Sequence, residues 1–468
     1  MLTLLIPMML ACSGKDSVDE PDGPDGPPTD VDSADPALAD CLNVEPPAVG
    51  EPALVLTGER PVNLLFISID TLNISRLSRY GGPADAPTLS AFLDEGLTLD
   101  NHFSCAPWTY PSMLCSMSGR STIEIGFVPK VSYQVLPPPA PEEILFLADL
   151  LKAEGYGTGL VTANPYLGSY YTIGRGFETE TISSGLPAGA VFDSARAMMT
   201  ELLDDDKPWY GHVHLIDPHA PYEPPPEYYE NYNDLVGDFP YDVSDPTDIV
   251  RMLADWGDLS VDDRVMGIDL VQAIYDGEIA HIDDQLTTFM DELDAAGALD
   301  NTLVVFFSDH GEQFMDHGDI GHGASLFNDE LGSMTSFWMK DGGITPTAWT
   351  GPTDQRDLLP TLFDALGLPA QDTWSGRIVG TADPGRGLVS LRYRGDEGTQ
   401  AIVRNGYKFV YDWQAGASYY DLTTDYEEKV NLHDRTDPTQ ACDWEALKAQ
   451  SEAFLELYPE HAESAAGR

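Results

Sequence analysis

VNLLFISID, residues 62–70, is an unbroken apolar run that closes on Asp70. A strand with water on one face alternates apolar and polar side chains. A run without that alternation belongs to a strand covered on both faces, as in a parallel sheet lined by helices. Working outward, the same texture returns in WYGHVHLID (209–217), TLVVFFSD (302–309) and TSFWMK (335–340), with LTLDNHFS (97–104) and YGTGLVTA (156–163) as further strands. Between them stand stretches of helical spacing: APTLSAFLDEG (86–96), EEILFLADLLKAEG (142–155), a long one from Val265 to Ala296, and QRDLLPTLFDALG (355–367). All but the long one close on a glycine, the usual helix stop. Strands alternating with helices predict an α/β fold, a large and mostly parallel sheet sandwiched by helices. Beyond residue 385 the texture shifts to the short strands LVSLRYR, QAIVRNGYKFVYD and ASYYDL, with a helical pattern from Asp443 to Leu457. That predicts one large domain over 61–385 and, over 386–468, a smaller antiparallel sheet plus helix.

The chain has 468 residues, 42% of them hydrophobic, enough to bury a large core. It carries 24 Lys and Arg against 78 Asp and Glu, a net charge of −54. Such a field excludes a nucleic-acid partner, whose affinity comes from cations on phosphate. An anionic substrate would instead need a local positive centre, and a bound metal ion supplies one. No apolar run reaches the ~18–20 residues of a membrane span. Residues 1–12, MLTLLIPMMLAC, resemble an export signal ending in the lipobox of bacterial lipoproteins, with Cys12 as the lipidated residue. No Lys or Arg precedes the apolar stretch, and Met9 stands where smaller aliphatics are usual. Residues 13–60, rich in Asp, Pro and Gly, read as a flexible acidic tether. The expectation is an exported bacterial cell-envelope lipoprotein that meets the membrane only through its N-terminal anchor. Four cysteines remain, and of three possible connectivities Cys41–Cys442 with Cys105–Cys115 is favoured.

In such sheets reacting groups collect beyond the carboxyl ends of strands, where Asp70, Asp217 and Asp309 stand. Asp309 and His310, released by Gly311, can point at one centre, and Asp70 on a neighbouring strand completes three ligands for a divalent metal ion with an open position. The imidazole moves the preference towards zinc or manganese, with calcium and magnesium still open. The blander reading of Asp309-His310 is a helix cap beside a surface histidine. SCAPWTYPSMLCSMSGR (104–120) reads as a loop entering a helix, with Thr109 at its N-terminus. There a hydroxyl next to a metal can become a nucleophile, or simply cap the helix. DPHAPYEPP (217–225) holds His219 between prolines, as suits a general acid. His212 and His214 share one strand face by period two, the first structural and the second supporting the site. In DHGDIGHGASL (316–326) His322 could reach the same centre, while His317 braces the loop.

Together these motifs resemble the sulfatase family of the alkaline phosphatase superfamily, from about Val62 to Leu432. The resemblance takes in NLLFISIDTL, WTYPS, LADLLKAEGYGTGLVTAN, DPHAPY, YDGEIAHIDDQL, NTLVVFFSDHGEQF, HGASLFNDE, QRDLLPTLFDALGLP and YDLTTDYEEKVNL. It implies an alkaline-phosphatase-like fold and a metal held by Asp70, Asp309 and His310. Thr109 would also contact the metal, and His219 and His322 would contact the transferred group or protonate the leaving oxygen. Thr109 stands where sulfatases carry the Cys or Ser that matures to formylglycine, and threonine cannot give that aldehyde. Met113 stands where the family places an arginine, and Ile125-Gly126 replaces its His-Gly.

The resemblance therefore implies a metal-dependent hydrolase or transferase acting on an anionic phosphoric or sulfuric ester through a covalent Thr109 intermediate. A phosphorylated threonine is resolved by direct attack, which tilts the reading towards phosphorus esters. A true sulfuric ester hydrolase working without formylglycine is the second reading. A scaffold that kept the fold, lost catalysis and only binds is the third. A glycan or lipid head group is the candidate substrate body, with an aromatic platform expected from 223–265 and the C-terminal region.

Overall fold

The structure, a computed structural model, describes residues 50–126, 139–228, 239–242, 245–381, 386–394, 397–412, 415–434, 437 and 439–447. Cys12, Cys41 and residues 1–49 of the expected signal and tether lie outside the described residues.

The apolar runs form the strands of an eight-stranded sheet. These are β1 (Asn63–Ile69), β2 (Leu97–Leu99), β3 (Gly157–Thr162), β4 (Thr179–Ile182), β5 (Trp209–Leu215), β6 (Thr302–Ser308), β7 (Thr335–Trp338) and β8 (Thr347–Trp349). Their spatial order is β8-β2-β7-β6-β1-β5-β3-β4. Every pairing is parallel except those of β7, which runs against both β6 and β2. The unbroken apolar character of β1 is explained by two cores, one on each face. Leu65, Ile67 and Ile69 enter one, and Leu64 and Phe66 the other. Helices α1 (Pro87–Glu95), α4 (Ala188–Leu203) and α5 (Val261–Ala295) cover the first face. Helices α2 (Thr109–Ser118), α3 (Leu147–Ala153) and α6 (Leu358–Leu366) cover the second. This is the expected mostly parallel sandwich.

Several boundaries differ from the sequence reading. The helical pattern over 142–155 becomes helix only at Leu147. Its first carbonyls are taken by a distant side chain: the Arg175 guanidinium donates to the Glu142 carbonyl at 2.9 Å and to that of Ile144, and pairs with Asp149. LTLDNHFS divides into β2 and a short ladder of His102–Phe103 with Thr353–Asp354. The tether expected to reach residue 60 is already docked at 53. The Ala53 amide donates to the Val379 carbonyl at 2.8 Å, Leu54 is buried, and Leu56 bridges Ile344.

The C-terminal strands β9 (Leu388–Arg394), β10 (Glu397–Arg404), β11 (Tyr407–Asp412) and β12 (Gly416–Asp421) form the predicted antiparallel sheet in sequential order. A helix over 439–447 packs on it through Leu447 and Trp444, and the expected continuation to 457 lies outside the described residues. Strand β9 also runs beside the loop that leads into α2, with the Leu391 amide on the Cys105 carbonyl at 3.0 Å. Cys105 and Cys115 are bridged as predicted. Cys442 is disulfide-bonded as well.

Candidate active site

Strands β6, β1, β5 and β3 are parallel neighbours, so their carboxyl ends open on one place. Asp309 follows β6, Asp70 follows β1, His219 lies in the loop after β5, and Asn164 lies two residues past β3. Across this place stands the N-terminus of α2. Trp108 is its N-cap, extended and without a side-chain cap bond, and Thr109 is the first helical residue. The Thr109 hydroxyl is therefore not spent on capping. It donates to Asp70, 3.3 Å from Oδ1 and 3.5 Å from Oδ2, and is itself buried. The next turn of α2 is pinned to the same strand end. Ser112 Oγ donates to the Asp309 carbonyl at 2.7 Å, and Gln355 Nε2 donates to it at 2.5 Å.

Asp70, Asp309 and His310 form a wholly buried cluster whose ligand atoms lie within 4.8 Å of one another. His310 Nε2 stands 3.7 Å from Asp70 Oδ1 and 3.4 Å from Asp309 Oδ2. Its other nitrogen faces the Gly311 carbonyl at 2.9 Å, which can only accept, so the proton sits on Nδ1 and the Nε2 lone pair faces the cluster. Burial lowers the His310 pKa to about 3, aided by the field of His322, so the ring is neutral and able to ligate. Asp309 Oδ1 accepts from the Thr71 and His310 amides, while Asp309 Oδ2 and His310 Nε2 are buried with no hydrogen-bond partner. Burial and the adjacent charge of Asp70 push the Asp309 carboxyl well up. Burial would raise Asp70 too, but the His214 hydrogen bond and the fields of nearby histidines hold it well below the usual carboxylate range. Two orphaned ligand atoms beside a second carboxylate are what a divalent cation would satisfy, so these residues fit a metal ion.

The two predicted histidines face the same place. His219 and His322 are in edge contact, ring centroids 4.9 Å apart, and His322 lies 4.5 Å from the His310 ring. The Ala220 carbonyl accepts from His219 Nδ1 at 2.5 Å. Glu312 Oε1 accepts from His322 Nδ1 at 2.9 Å. Each contact leaves Nε2 to exchange a proton. Burial disfavours the charged His322 ring, but buried Glu312 outweighs this and raises its pKa. Asp217 is not drawn into the cluster: it accepts the Ala188 amide at 2.6 Å at the start of α4, and burial raises it to about 6. His317 stacks flat on Phe327 at 3.6 Å and braces its loop. Met113 is a buried core residue.

Asn164 and Glu312 were not singled out from sequence. Asn164 Nδ2 donates to Asp70 Oδ2 at 2.8 Å and lies 3.5 Å from Thr109 Oγ1. Like Asp70 it follows a buried strand, but its neutral amide does not announce chemistry as a carboxylate does. The aromatic side chains beside Thr109 are Trp108, Tyr166 and Tyr171, in mutual contact, with Tyr170 72% exposed at the edge. Of the stretch 223–265 expected to supply an aromatic platform, 229–238 and 243–244 lie outside the described residues.

A hydroxyl, a buried carboxylate–imidazole cluster and two convergent histidines on this sheet define an alkaline-phosphatase-like fold built for metal-dependent ester chemistry. The Sulfatase family model matches residues 62–368. The chain belongs to the sulfatase family, a family of metal-dependent hydrolases. It is 24% identical to a choline-sulfatase of Rhizobium meliloti over 439 residues, 79% of this chain and 82% of the relative. It is 27% identical to an arylsulfatase of Clostridium perfringens over 255 residues, 49% of this chain, and spans about half (50%) of that relative's length. Among solved structures, BT4656 in complex with its substrate D-glucosamine-2-N,6-O-disulfate superposes with a TM-score of 0.68 at 17% identity, over 87% of this chain and 99% of that one. The phosphonate monoester hydrolase of Agrobacterium radiobacter does so with a TM-score of 0.61 at 20% identity, over 86% and 96%. Among the described residues no helix is long and apolar enough to cross a membrane.

Proposed function

We propose that the protein hydrolyses or transfers an anionic phosphoric or sulfuric ester through a covalent ester of Thr109, with phosphorus esters favoured. The observation that carries this is the Thr109 hydroxyl, uncapped and buried, on the Asp70 oxygen that also faces His310 Nε2. Asp70, Asp309 and His310 would hold the cation, with Thr109 beside it. When bound, it supplies Lewis acidity that lowers the hydroxyl pKa and balances charge on the ester. The second oxygen of each carboxylate already accepts protein hydrogen bonds, from Asn164 and His214 on Asp70 and from backbone amides on Asp309. Each carboxylate then offers a single oxygen. With one imidazole, this supports zinc or manganese over calcium, which takes six to eight oxygens.

Thr109 Oγ1 attacks the central atom as its proton leaves through Asp70. The bond to the leaving oxygen breaks, and Nε2 of His219 or His322 gives that oxygen a proton. In the second half the same nitrogen takes a proton from water or an acceptor alcohol as its oxygen displaces Thr109, whose oxygen recovers its proton from Asp70. Asn164 keeps the hydroxyl and carboxylate in register. Trp108, Tyr166 and Tyr170 offer a face to the body of the ester, which suits a sugar ring. Sulfate ester hydrolysis is the second reading, favoured by the choline-sulfatase and arylsulfatase relatives. A scaffold that only binds is disfavoured, because it has no use for buried, unpartnered Asp309 Oδ2 and His310 Nε2. The buried Cys105–Cys115 bridge supports an exported protein, with Cys12 as its lipid anchor. Turnover of aryl sulfate, phosphate monoester, phosphodiester and phosphonate by the metal-loaded protein tests the reading. Faster cleavage of the aryl sulfate would defeat the preference for phosphorus.

A further inference from the structure

Beneath the cluster a polar line runs through the apolar core. Tyr210, His212 and His214 lie on one face of β5, and Ser68 of β1 stands in register with His214. None of the four side chains is more than 1% exposed. Tyr210 Oη is 3.1 Å from His212 Nδ1, and His212 Nε2 is 2.8 Å from Ser68 Oγ. Ser68 Oγ is 2.8 Å from His214 Nδ1, and His214 Nε2 is 3.3 Å from Asp70 Oδ2.

Counting hydrogens gives this line a direction. Among the described residues the one acceptor within reach of the buried Tyr210 phenol is His212 Nδ1, so its hydrogen goes there. Burial keeps that phenol protonated and, with the field of His214, keeps His212 uncharged. The one hydrogen of His212 is then on Nε2 and goes to Ser68, whose own hydrogen is left for His214 Nδ1. The His214 hydrogen is thereby placed on Nε2, aimed at Asp70. Run the other way, the line would set a lone pair of His214 against the carboxylate and strand the phenol hydrogen in the core, at the cost of an unpaired buried polar group.

We infer that Tyr210, His212 and Ser68 are positioning residues that lock His214 in its Nε2–H tautomer, so that His214 holds Asp70 Oδ2 and leaves Oδ1 for the cation. This rests on the proposed metal site but is read without it. In protein labelled with 15N at histidine, two-bond 1H–15N correlation reports each tautomer. Metal-free wild type should carry the hydrogen of His212 and the hydrogen that His214 turns to Asp70 on Nε2. Tyr210→Phe removes the first donor, with its hydroxyl three residues away in the chain of contacts from Asp70, and should turn His214 into a tautomer mixture. Ser68→Ala should do the same, and Ser68→Thr should restore the wild-type pattern. Competition against a chelator with zinc or manganese alone should show affinity about tenfold weaker in Ser68→Ala, the usual scale for a lost hydrogen-bond partner of a ligand. A wild-type His214 carrying its hydrogen on Nδ1, or an unaltered Nε2–H in both Tyr210→Phe and Ser68→Ala, overturns the inference. Folded wild type with the expected tautomers that binds neither ion refutes the metal site and leaves the directed line standing.

Discussion

Two of the buried carboxylate groups among the described residues are neutralised in opposite ways. Near the start of α6, Asp354 is gripped by the fork of Arg356, and Asp357 meets Arg386 at 2.6 and 2.8 Å. At the strand ends, no Lys or Arg among the described residues pairs with Asp70 or Asp309. Burial pushes both groups up. Arg356 and Arg386 bring Asp354 down to about 2 while Asp357 stays raised, and at the strand ends histidines alone hold Asp70 down while Asp309 stays well above the usual range. A chain with 24 basic residues against 78 acidic ones places guanidinium groups where the charge is structural and none where it is chemical. The difference separates a salt bridge from a cation site without reference to any relative.

The largest expected effect tests which group does the chemistry. Thr109→Ala should cut turnover by at least ~10³-fold, as removal of a nucleophile does, while metal content stays at the wild-type level. An unchanged rate removes Thr109 from that role. Arg386→Ala addresses the other group. It strands Asp357 in the core and should lower unfolding free energy by about 3–5 kcal/mol, equally with and without metal, in urea titrations. A loss seen only in the metal-free protein would mean that the two groups are coupled. Next in size, zinc or manganese at about 100 times its Kd should stabilise the wild type by about 2.7 kcal/mol. Asp309→Asn should abolish that shift, and a variant still stabilised would move the cation elsewhere. The smallest effect is pH dependence. The folded pKa of Asp354 lies below its ordinary 3.8, so its contribution is full above about pH 4 and is lost as pH falls towards about 2. The amount is on the order of 2 kcal/mol. Asp354→Asn should flatten that limb of the stability curve, and an unchanged slope would show the pair to be worth little.

Part of this contrast was legible in the sequence. Strands buried on both faces announce themselves as unbroken apolar runs, and Asp70, Asp309 and His310 follow two of them directly. Thr109, His219 and His322 were found for a similar reason, since their loops carry Pro or Gly around a reactive side chain. Asn164 escaped because an amide after a strand has no chemical signature of its own. The directed line from Tyr210 escaped because only Ser68 meeting His214 across two strands, 146 residues apart in the chain, creates it. The helical pattern at 142–146 misled because spacing records what a segment can form, and Arg175 competes for its carbonyls from outside that window. The short pairing of His102–Phe103 with Thr353–Asp354 likewise joins segments that local pattern cannot relate.

Thr109 lies between two bridged cysteines, on a helix whose next turn is tied to the Asp309 carbonyl. A hydroxyl mounted so rigidly cannot swing out to meet an incoming molecule. In the proposed reaction the ester would have to be delivered to it, so the angle of approach would be fixed before any bond changes, and adjustment to guests of different shape would fall to the opposite wall, where His219 and His322 sit on loops.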